Sequence, residues 1–237
     1  MFYPFYYYFD PTYILILIGV ILSLVASAKV KSTFAKYAKV RNSQGFTGAQ
    51  AAQRVLERAG IYDVRIEHVS GNLTDHYDPK NKVLRLSDSV YGQSTVAAVG
   101  VASHECGHAI QHAKGYEPLK LRNTLVPIAN FGSQIAWPLI LIGFIITSEA
   151  STFLINLGII AFSLAVVFHL ITLPVEFNAS NRAIRMIADT GMMYGEEIKG
   201  AKKVLNAAAL TYVASAATAV LQLLRIILLT GGRRRND

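Results

Sequence analysis

The sequence predicts a mainly α-helical, multi-pass membrane protein with about four transmembrane helices and a water-facing α+β portion containing a small β-hairpin or sheet. Composition is the first reason. Hydrophobic residues make up 52% of the 237 residues and charged residues only 16%, which is more apolar than a typical soluble domain. The second reason is that four apolar stretches are long enough, or nearly so, to cross a bilayer, namely 12–28, 127–147, 152–173 and 207–230.

Residues 1–28 form the first predicted transmembrane helix. The chain opens with a run of aromatic residues at 2–9, which favours the lipid headgroup layer. A basic run follows the apolar stretch and includes Lys29, Lys31 and Lys36. The positive-inside rule then predicts that the N-terminus lies outside the plasma membrane and that residues 29–125 lie in the cytoplasm.

The net charge of +8 predicts contact with anionic lipid rather than with nucleic acid. The positive residues cluster beside apolar segments, and they are not interleaved with aromatic residues in the way that single-strand binding requires. The chain has one cysteine, Cys106, so it forms no intramolecular disulfide. We interpret Cys106 as a small buried hydrophobic residue.

The segment 29–125 is predicted to form a compact α+β portion. Thr47 is a plausible N-cap for a helix that ends near Ala59. Alternating apolar residues predict strands over 61–69 and 83–87. Such a sheet is either a plain structural hairpin or an edge strand that holds an extended peptide, and the sequence does not decide between the two.

The motif His-Glu-Cys-Gly-His occupies positions 104–108 of a helix predicted from about Ser94 to Ala113. On a helix, His104 and His108 lie on one face and can bind one zinc ion. Glu105, between them, can take a proton from a zinc-activated water. Two histidines and an intervening glutamate therefore predict a catalytic zinc site.

Residues 126–173 are predicted to form a transmembrane hairpin that turns at the outer side around Glu149. His169 lies within its second arm and is either a functional or a hydrogen-bonded structural histidine. The hairpin returns the chain to the cytoplasm, where Pro174 is predicted to open a new helix over 174–206.

The last predicted segment, 207–237, contains an apolar helix and a basic tail. If 207–230 spans the membrane, Arg233–Arg235 lie outside, against the positive-inside rule. The small residues of this stretch nevertheless favour close helix packing, which favours a fourth span.

A catalytic zinc site usually has three protein ligands and a water. Lys114 occupies the position where a metzincin would have its third histidine. His112 would place three ligands along about 12 Å of helix, too far for one ion. Glu176 follows the hairpin and so returns to the membrane face of the motif helix, which makes it the predicted third ligand. Other glutamates fit less well, being too close in sequence, on the outer side, or in a polar stretch: Glu117, Glu149, Glu196 and Glu197.

Three segments together resemble the bacterial neutral zinc metallopeptidase family of membrane proteins, often called YugP-like: 73–79, 84–87 and 101–112. The resemblance covers nearly the whole chain. Its layout is similar to that of integral-membrane gluzincins of the HtpX type, where two spans separate the zinc motif from a Glu-x-x-x-Asp helix. Here Glu176 fills the glutamate position, but Ser180 stands where that pattern has an aspartate that supports a ligand histidine. Asn178, Ser180 or Asn181 could take its place.

The sequence thus predicts an enzyme, a zinc metallopeptidase with one Zn²⁺ held by His104, His108 and Glu176 and with Glu105 as general base. We expect it to hydrolyse peptide bonds of membrane or membrane-associated proteins at the cytoplasmic face. His112, Arg182 and Tyr212 are candidates for stabilising the oxyanion. The alternatives are a zinc-binding membrane scaffold without activity and a transporter or channel subunit. The expected partners are a protein substrate and the lipid bilayer, and the sequence is compatible with a homo-oligomer.

Overall fold

The computed structural model describes residues 10–146 and 150–231. The aromatic run before Asp10, the turn around Glu149 and the arginines after Gly231 lie outside the described residues. The described part forms six helices and three strands, in the order α1 Tyr13–Tyr37, α2 Gly48–Arg58, β1 Arg65–Val69, β2 His76–Asp78, β3 Val83–Ser87, α3 Val96–Ala113, α4 Glu117–Ile145, α5 Ala150–Asp189 and α6 Glu196–Gly231.

Four helices, α1, α4, α5 and α6, are long and apolar enough to cross a membrane. The prediction of a mainly helical protein with about four spans and a small sheet is confirmed. The apolar stretch 207–230, whose status the sequence left in conflict, is the second half of α6.

The helix break predicted at Pro174 is wrong, because α5 continues through Pro174 to Asp189. Proline lacks a backbone donor, so it weakens a helix. In an apolar helix, neighbouring groups can satisfy the freed carbonyl and the helix persists. The two prolines inside α4, Pro127 and Pro138, are tolerated in the same way. Glu176 therefore lies on the same helix as the second arm of the hairpin.

The three strands form one small sheet in the order β1-β3-β2. β1 runs parallel to β3, whereas β2 is antiparallel to β3 with His76 opposite Arg85 and Asp78 opposite Val83. The two strands predicted from the sequence are therefore joined by a third. Because β2 pairs only with β3 in the described chain, it forms an edge of the sheet.

The chain divides into two compact units. We call Ala26–Leu121 together with Thr172–Thr211 the mixed unit, because it contains both helices and strands. The apolar unit contains the described residues up to Val25, Arg122–Ile171, and those from Tyr212 onward.

The mixed unit has a closely packed hydrophobic core beneath α3. Its fully buried side chains come from α2, β3, α3 and the end of α5, among them Leu56, Leu84, Leu86, Val99 and Ile187. Thr47 caps α2, as predicted, and forms a reciprocal capping box with Gln50.

The apolar unit is held by small residues and by one ion pair. Thr218 of α6 contacts Gly19 of α1, whose carbonyl accepts a hydrogen bond from the Thr218 hydroxyl at 3.2 Å. Arg225, a cation within the apolar half of α6, lies 3.8 Å from the Asp10 carboxylate and 4.7 Å from the centre of the Tyr13 ring. The cation of Arg225 thus lies beside a carboxylate and an aromatic ring at the start of α1.

Candidate metal centre

The helix that carries the zinc motif, α3, begins at a cap that the sequence analysis overlooked. The Thr95 side chain accepts a hydrogen bond from the backbone N–H of Ala98 at 3.2 Å. Threonine in this position satisfies one of the free donors at a helix start. This cap fixes the beginning of α3 two turns before His104.

The two residues between Glu105 and His108 let α3 pack closely on both sides. Cys106 is fully buried, and its thiol points to the Ala52 carbonyl of α2 at 3.5 Å. Burial, reinforced by the charge of Glu105, raises the pKa of this thiol well above its ordinary value, so the sulfur is a packing group. On the other side, a Cβ on Gly107 would lie 2.5 Å from the Ala179 carbonyl oxygen of α5. Only glycine permits this approach.

The close approach of α3 and α5 brings three candidate ligands together. Glu176 Oε2 lies 3.3 Å from His104 Nε2 and 3.5 Å from His108 Nε2. The ligand atoms of all three residues lie within 4.8 Å of one another. The Glu176 side chain is only 4% exposed and the two histidines 13% each, so the cluster is largely screened from water.

This donor set fits a zinc ion. Zinc binds imidazole nitrogen and carboxylate oxygen at about 2.0–2.2 Å in tetrahedral geometry, so neighbouring ligand atoms should lie about 3.3–3.5 Å apart. The two measured nitrogen–oxygen distances fall in that range. Two nitrogens and one oxygen also suit zinc better than magnesium or calcium, which prefer oxygen ligands.

His104 is oriented by Ser180. The Ser180 hydroxyl lies 3.1 Å from His104 Nδ1, which leaves Nε2 facing Glu176. A hydrogen bond to the second ring nitrogen fixes the tautomer of a ligand histidine and the orientation of its ring. Ser180 stands four residues after Glu176 on α5 and so occupies the place where the related pattern has an aspartate.

His108 is oriented by Gln111, a residue that the sequence analysis did not consider. The Gln111 Oε1 atom lies 3.0 Å from His108 Nδ1. Its amide nitrogen donates to the Val175 carbonyl at 2.8 Å and to Asn178 Oδ1 at 3.1 Å. Because both ends of this fully buried amide are engaged, its orientation is determined.

The same network links α3 to the polar face of α5. Asn178 Oδ1 also accepts a hydrogen bond from Arg182 Nε at 2.7 Å, and the Arg182 guanidinium lies over the ring of Tyr116, 5.8 Å from its centre. Arg182, one candidate for the oxyanion partner, is thus held in place by two contacts.

His108 itself experiences opposing effects. Burial lowers its pKa, but the hydrogen bond to Glu176 and the negative charges of Glu105 and Glu176 raise it more, so the net pKa lies above the ordinary value. A strongly negative surrounding of this kind also favours a cation at the centre of the cluster.

Glu105 faces the edge strand of the sheet. Its Oε2 accepts a hydrogen bond from the backbone N–H of Tyr77 on β2 at 3.1 Å. Asp75, just before β2, has a raised pKa because it is partly buried, and the nearby Glu105 charge contributes in the same direction. The candidate base therefore lies between the histidines and an extended backbone segment.

Tyr77 and His112 form a second contact beside the cluster. The Tyr77 hydroxyl lies 2.9 Å from His112 Nδ1. Burial, together with the charges of Asp63 and Asp78, raises the pKa of Tyr77 to about 12, so the phenol stays protonated at neutral pH. His112 is exposed and is not in the ligand cluster, as its position along the helix predicts.

The structure thus brings together the three residues predicted as ligands, with Glu105 on the same helix. Gln111 and Tyr77 also lie beside the cluster, although the sequence did not predict them. A glutamine three residues after the second histidine lies on the adjacent face of the helix, and this spacing is a signal that the sequence contained. Tyr212, another oxyanion candidate, belongs to the apolar unit.

Comparison with known proteins gives consistent matches. A family model described as "Putative neutral zinc metallopeptidase" matches residues 12–231. The chain is 50% identical over 216 residues to "Putative membrane protease YugP" of Bacillus subtilis strain 168, covering 91% of this chain and 95% of that protein. No solved structure matches the chain. Because the family match extends over nearly the whole sequence, the protein belongs to the family described as "Putative neutral zinc metallopeptidase".

Proposed function

We propose that this protein is a membrane-embedded zinc endopeptidase that hydrolyses peptide bonds of membrane or membrane-associated proteins at the cytoplasmic face of the plasma membrane. One observation carries the proposal. Glu176 Oε2 lies 3.3 and 3.5 Å from the two histidine Nε2 atoms, with Glu105 on the intervening turn. Three ligands and a neighbouring carboxylate are the minimum set for zinc-dependent hydrolysis.

His104, His108 and Glu176 would hold one zinc ion, which supplies a bound water of lowered pKa and polarises the substrate carbonyl. Glu105 then accepts the proton of the attacking water. It later delivers a proton to the leaving amine. Ser180 and Gln111 keep the two imidazole rings in their tautomers through both steps.

The edge strand β2 supports a peptide as substrate. An extended peptide can add to a free edge by backbone hydrogen bonds, with side chains facing alternate sides. The Tyr77 N–H, which points away from β3, donates to Glu105 in the absence of substrate. An incoming carbonyl could take over this donor, which would release Glu105 toward the attacking water.

Chain topology supports a cytoplasmic site. Lys29, Lys31 and Lys36 follow the apolar half of α1, and positive charges beside a span favour the cytoplasm. This pattern supports an N-terminus outside and a mixed unit in the cytoplasm. A plasma-membrane location is part of the same proposal.

A zinc-binding scaffold without activity is the second candidate. It would use the same three ligands but would need no base. Glu105, hydrogen-bonded beside the cluster rather than within it, favours the enzyme.

The decisive test is Glu105→Gln in the purified full-length protein. We expect zinc content to be unchanged, because the residue is not among the three ligands. Cleavage of a susceptible membrane protein should fall by about 10²–10⁴-fold, the usual contribution of general acid–base catalysis. Glu117→Gln, at an exposed glutamate that pairs with Lys120, is the matched control and should retain activity. Cleavage by Glu105→Gln at the wild-type rate would refute the assigned role.

A further inference from the structure

A cleft in the mixed unit is lined by none of the candidate ligands. It has a volume of about 560 Å³ and is lined by three helices. This is the size of an ordinary ligand-binding cleft. Its polar side chains are three lysines, a threonine, a tyrosine and an asparagine, namely Lys29, Thr33, Lys36, Tyr37, Lys203 and Asn206.

Two of the three helices, α1 and α6, present a regular face to this cleft, and α5 contributes Phe177. On α1, Lys29, Thr33 and Lys36 recur at the spacing that places side chains above one another on a helix. On α6, Lys203 and Asn206 do the same, followed by Leu210. The two helices meet closely at this level, since a Cβ on Gly200 would lie 2.7 Å from the Tyr37 ring.

The cleft is positively charged, and the acid found near its lysines in the described residues is Glu196, whose pKa is lowered mainly by Lys199 and to a smaller extent by Lys203. None of the aspartates and glutamates that the structure describes lines it. Other lysines of the described chain are paired with carboxylates, among them Lys82, Lys120 and Lys199. The three cleft lysines form none of the ion pairs seen in the described residues. Charge complementarity therefore points to an anionic ligand.

The position in the sequence identifies the kind of anion. Lys29 follows the apolar stretch 12–28 directly, and Lys203 and Asn206 come just before the apolar stretch 207–230. Both helices thus contribute polar groups from the point where a membrane span meets water. The remaining lining is apolar, with Phe177, Ala207 and Leu210 among it. A ligand that is charged at one end and apolar at the other fits this lining.

We propose that the cleft binds the phosphate headgroup of an anionic phospholipid. The lysine ammonium groups would bind the phosphate, Thr33 and Asn206 would donate further hydrogen bonds, and the acyl chains would begin over Leu210 and Phe177. Basic clefts between membrane helices are suited to such headgroups. Phe177 is adjacent to Glu176, so the bound lipid would lie against the helix that carries the third candidate ligand.

The first test uses the unmodified full-length protein. It is purified in detergent, mixed with equal amounts of phosphatidylglycerol and phosphatidylcholine, and the lipid retained per chain is measured by native mass spectrometry. We expect phosphatidylglycerol to be retained preferentially, with about one molecule bound tightly. Equal retention of the two lipids would overturn the proposal.

The second test compares two triple variants of equal charge. Lys29→Gln, Lys36→Gln and Lys203→Gln together should weaken retention of phosphatidylglycerol by at least about tenfold. The matched control changes Lys31, Lys39 and Lys202 to glutamine. These lysines belong to the same segments of the chain but lie outside the cleft. An equal loss in both variants would mean non-specific attraction and would overturn the site.

A third arm separates a lipid from a soluble phosphate compound. Inorganic phosphate and glycerol 3-phosphate are added separately at concentrations equal to that of the lipid. We expect neither to displace phosphatidylglycerol, because neither has an apolar part to contact Phe177 and Leu210. Displacement by either compound would assign the cleft to a free phosphate and overturn the lipid proposal. None of these measurements depends on zinc or on proteolysis.

Discussion

Helix α5 is approached by a glycine in each of the two units, with different consequences. In the apolar unit, a Cβ on Gly132 of α4 would lie 2.7 Å from the Ala161 carbonyl oxygen. In the mixed unit, a Cβ on Gly107 of α3 would lie 2.5 Å from the Ala179 carbonyl oxygen. The steric requirement is nearly the same in both places, since neither contact leaves room for a methyl group.

The surroundings of the two contacts differ in polarity. Around Gly132 the nearest neighbours are the apolar residues Ala161 and Leu164, and a glycine that lets two helices approach closely is usual where helices associate in lipid. Around Gly107, donor and acceptor atoms of both helices come into range, with His104 on one side and Glu176 and Ser180 on the other. The same type of helix contact thus supports packing alone in one unit and a candidate metal centre in the other.

Removing Glu176, the proposed third ligand, should have the largest effect on the candidate metal centre. Loss of a residue that supports a ligand typically weakens metal binding by about 10–100-fold. We expect Glu176→Ala to weaken zinc binding by more than this, because the variant loses an anionic ligand. Zinc per chain is measured by mass spectrometry after gel filtration. Glu117→Ala, which removes an exposed carboxylate, should keep its zinc. Full zinc occupancy in Glu176→Ala would show that the third ligand is another residue.

Alanine at the two glycines tests the comparison directly. Gly107→Ala and Gly132→Ala should each lower the free energy of unfolding by about 1–3 kcal/mol through overpacking. Only Gly107→Ala should also weaken zinc binding, since it moves α3 away from Glu176. Thermal unfolding and zinc titration of the two variants measure the two effects. If both variants bound zinc equally weakly, the contact at Gly107 would have no special connection with the site.

Some features of the fold and of the candidate site could be predicted from the sequence, and others could not. The positions of His104, Glu105 and His108 follow from helical spacing, and Glu176 follows from the hairpin that returns the chain. The strand β2 could not be predicted, because three residues are too few for a periodic pattern. The role of Gln111 depends on Val175 and Asn178, more than sixty residues later, so only the packing of α3 on α5 determines it. The helix break predicted at Pro174 is wrong because proline is a weaker helix breaker in an apolar helix than in water.

The hydrogen bonds behind the histidines should have a smaller effect than the ligand itself. We expect Gln111→Ala and Ser180→Ala each to weaken zinc binding by about 10–100-fold, because the imidazole rings lose their fixed tautomers. The loss of zinc affinity in Gln111→Ala should lie at the upper end of this range, since the variant removes hydrogen bonds to both His108 and α5. Ser180→Thr keeps the hydroxyl and should restore most of the affinity. Competition with a chromogenic chelator measures the zinc affinity of each variant.

The ion pair of the apolar unit should have the smallest effect. Asp10→Asn keeps the shape of the side chain but removes the negative charge 3.8 Å from Arg225. The distance is long and Asp10 is partly exposed, so we expect only a small loss in the free energy of unfolding, part of which comes from the hydrogen bonds that the carboxylate accepts from Thr12. The Tyr13 ring, 4.7 Å from the guanidinium, still attracts the cation and limits the loss.

Asp189→Asn, at an exposed residue in the mixed unit, is the control and should change stability less. Zinc binding should be unchanged in Asp10→Asn, because the carboxylate belongs to the unit whose close helix contacts involve no candidate ligand. A loss of zinc in this variant would mean that the two units are coupled, and the difference between the contacts at Gly107 and Gly132 would then be one of degree.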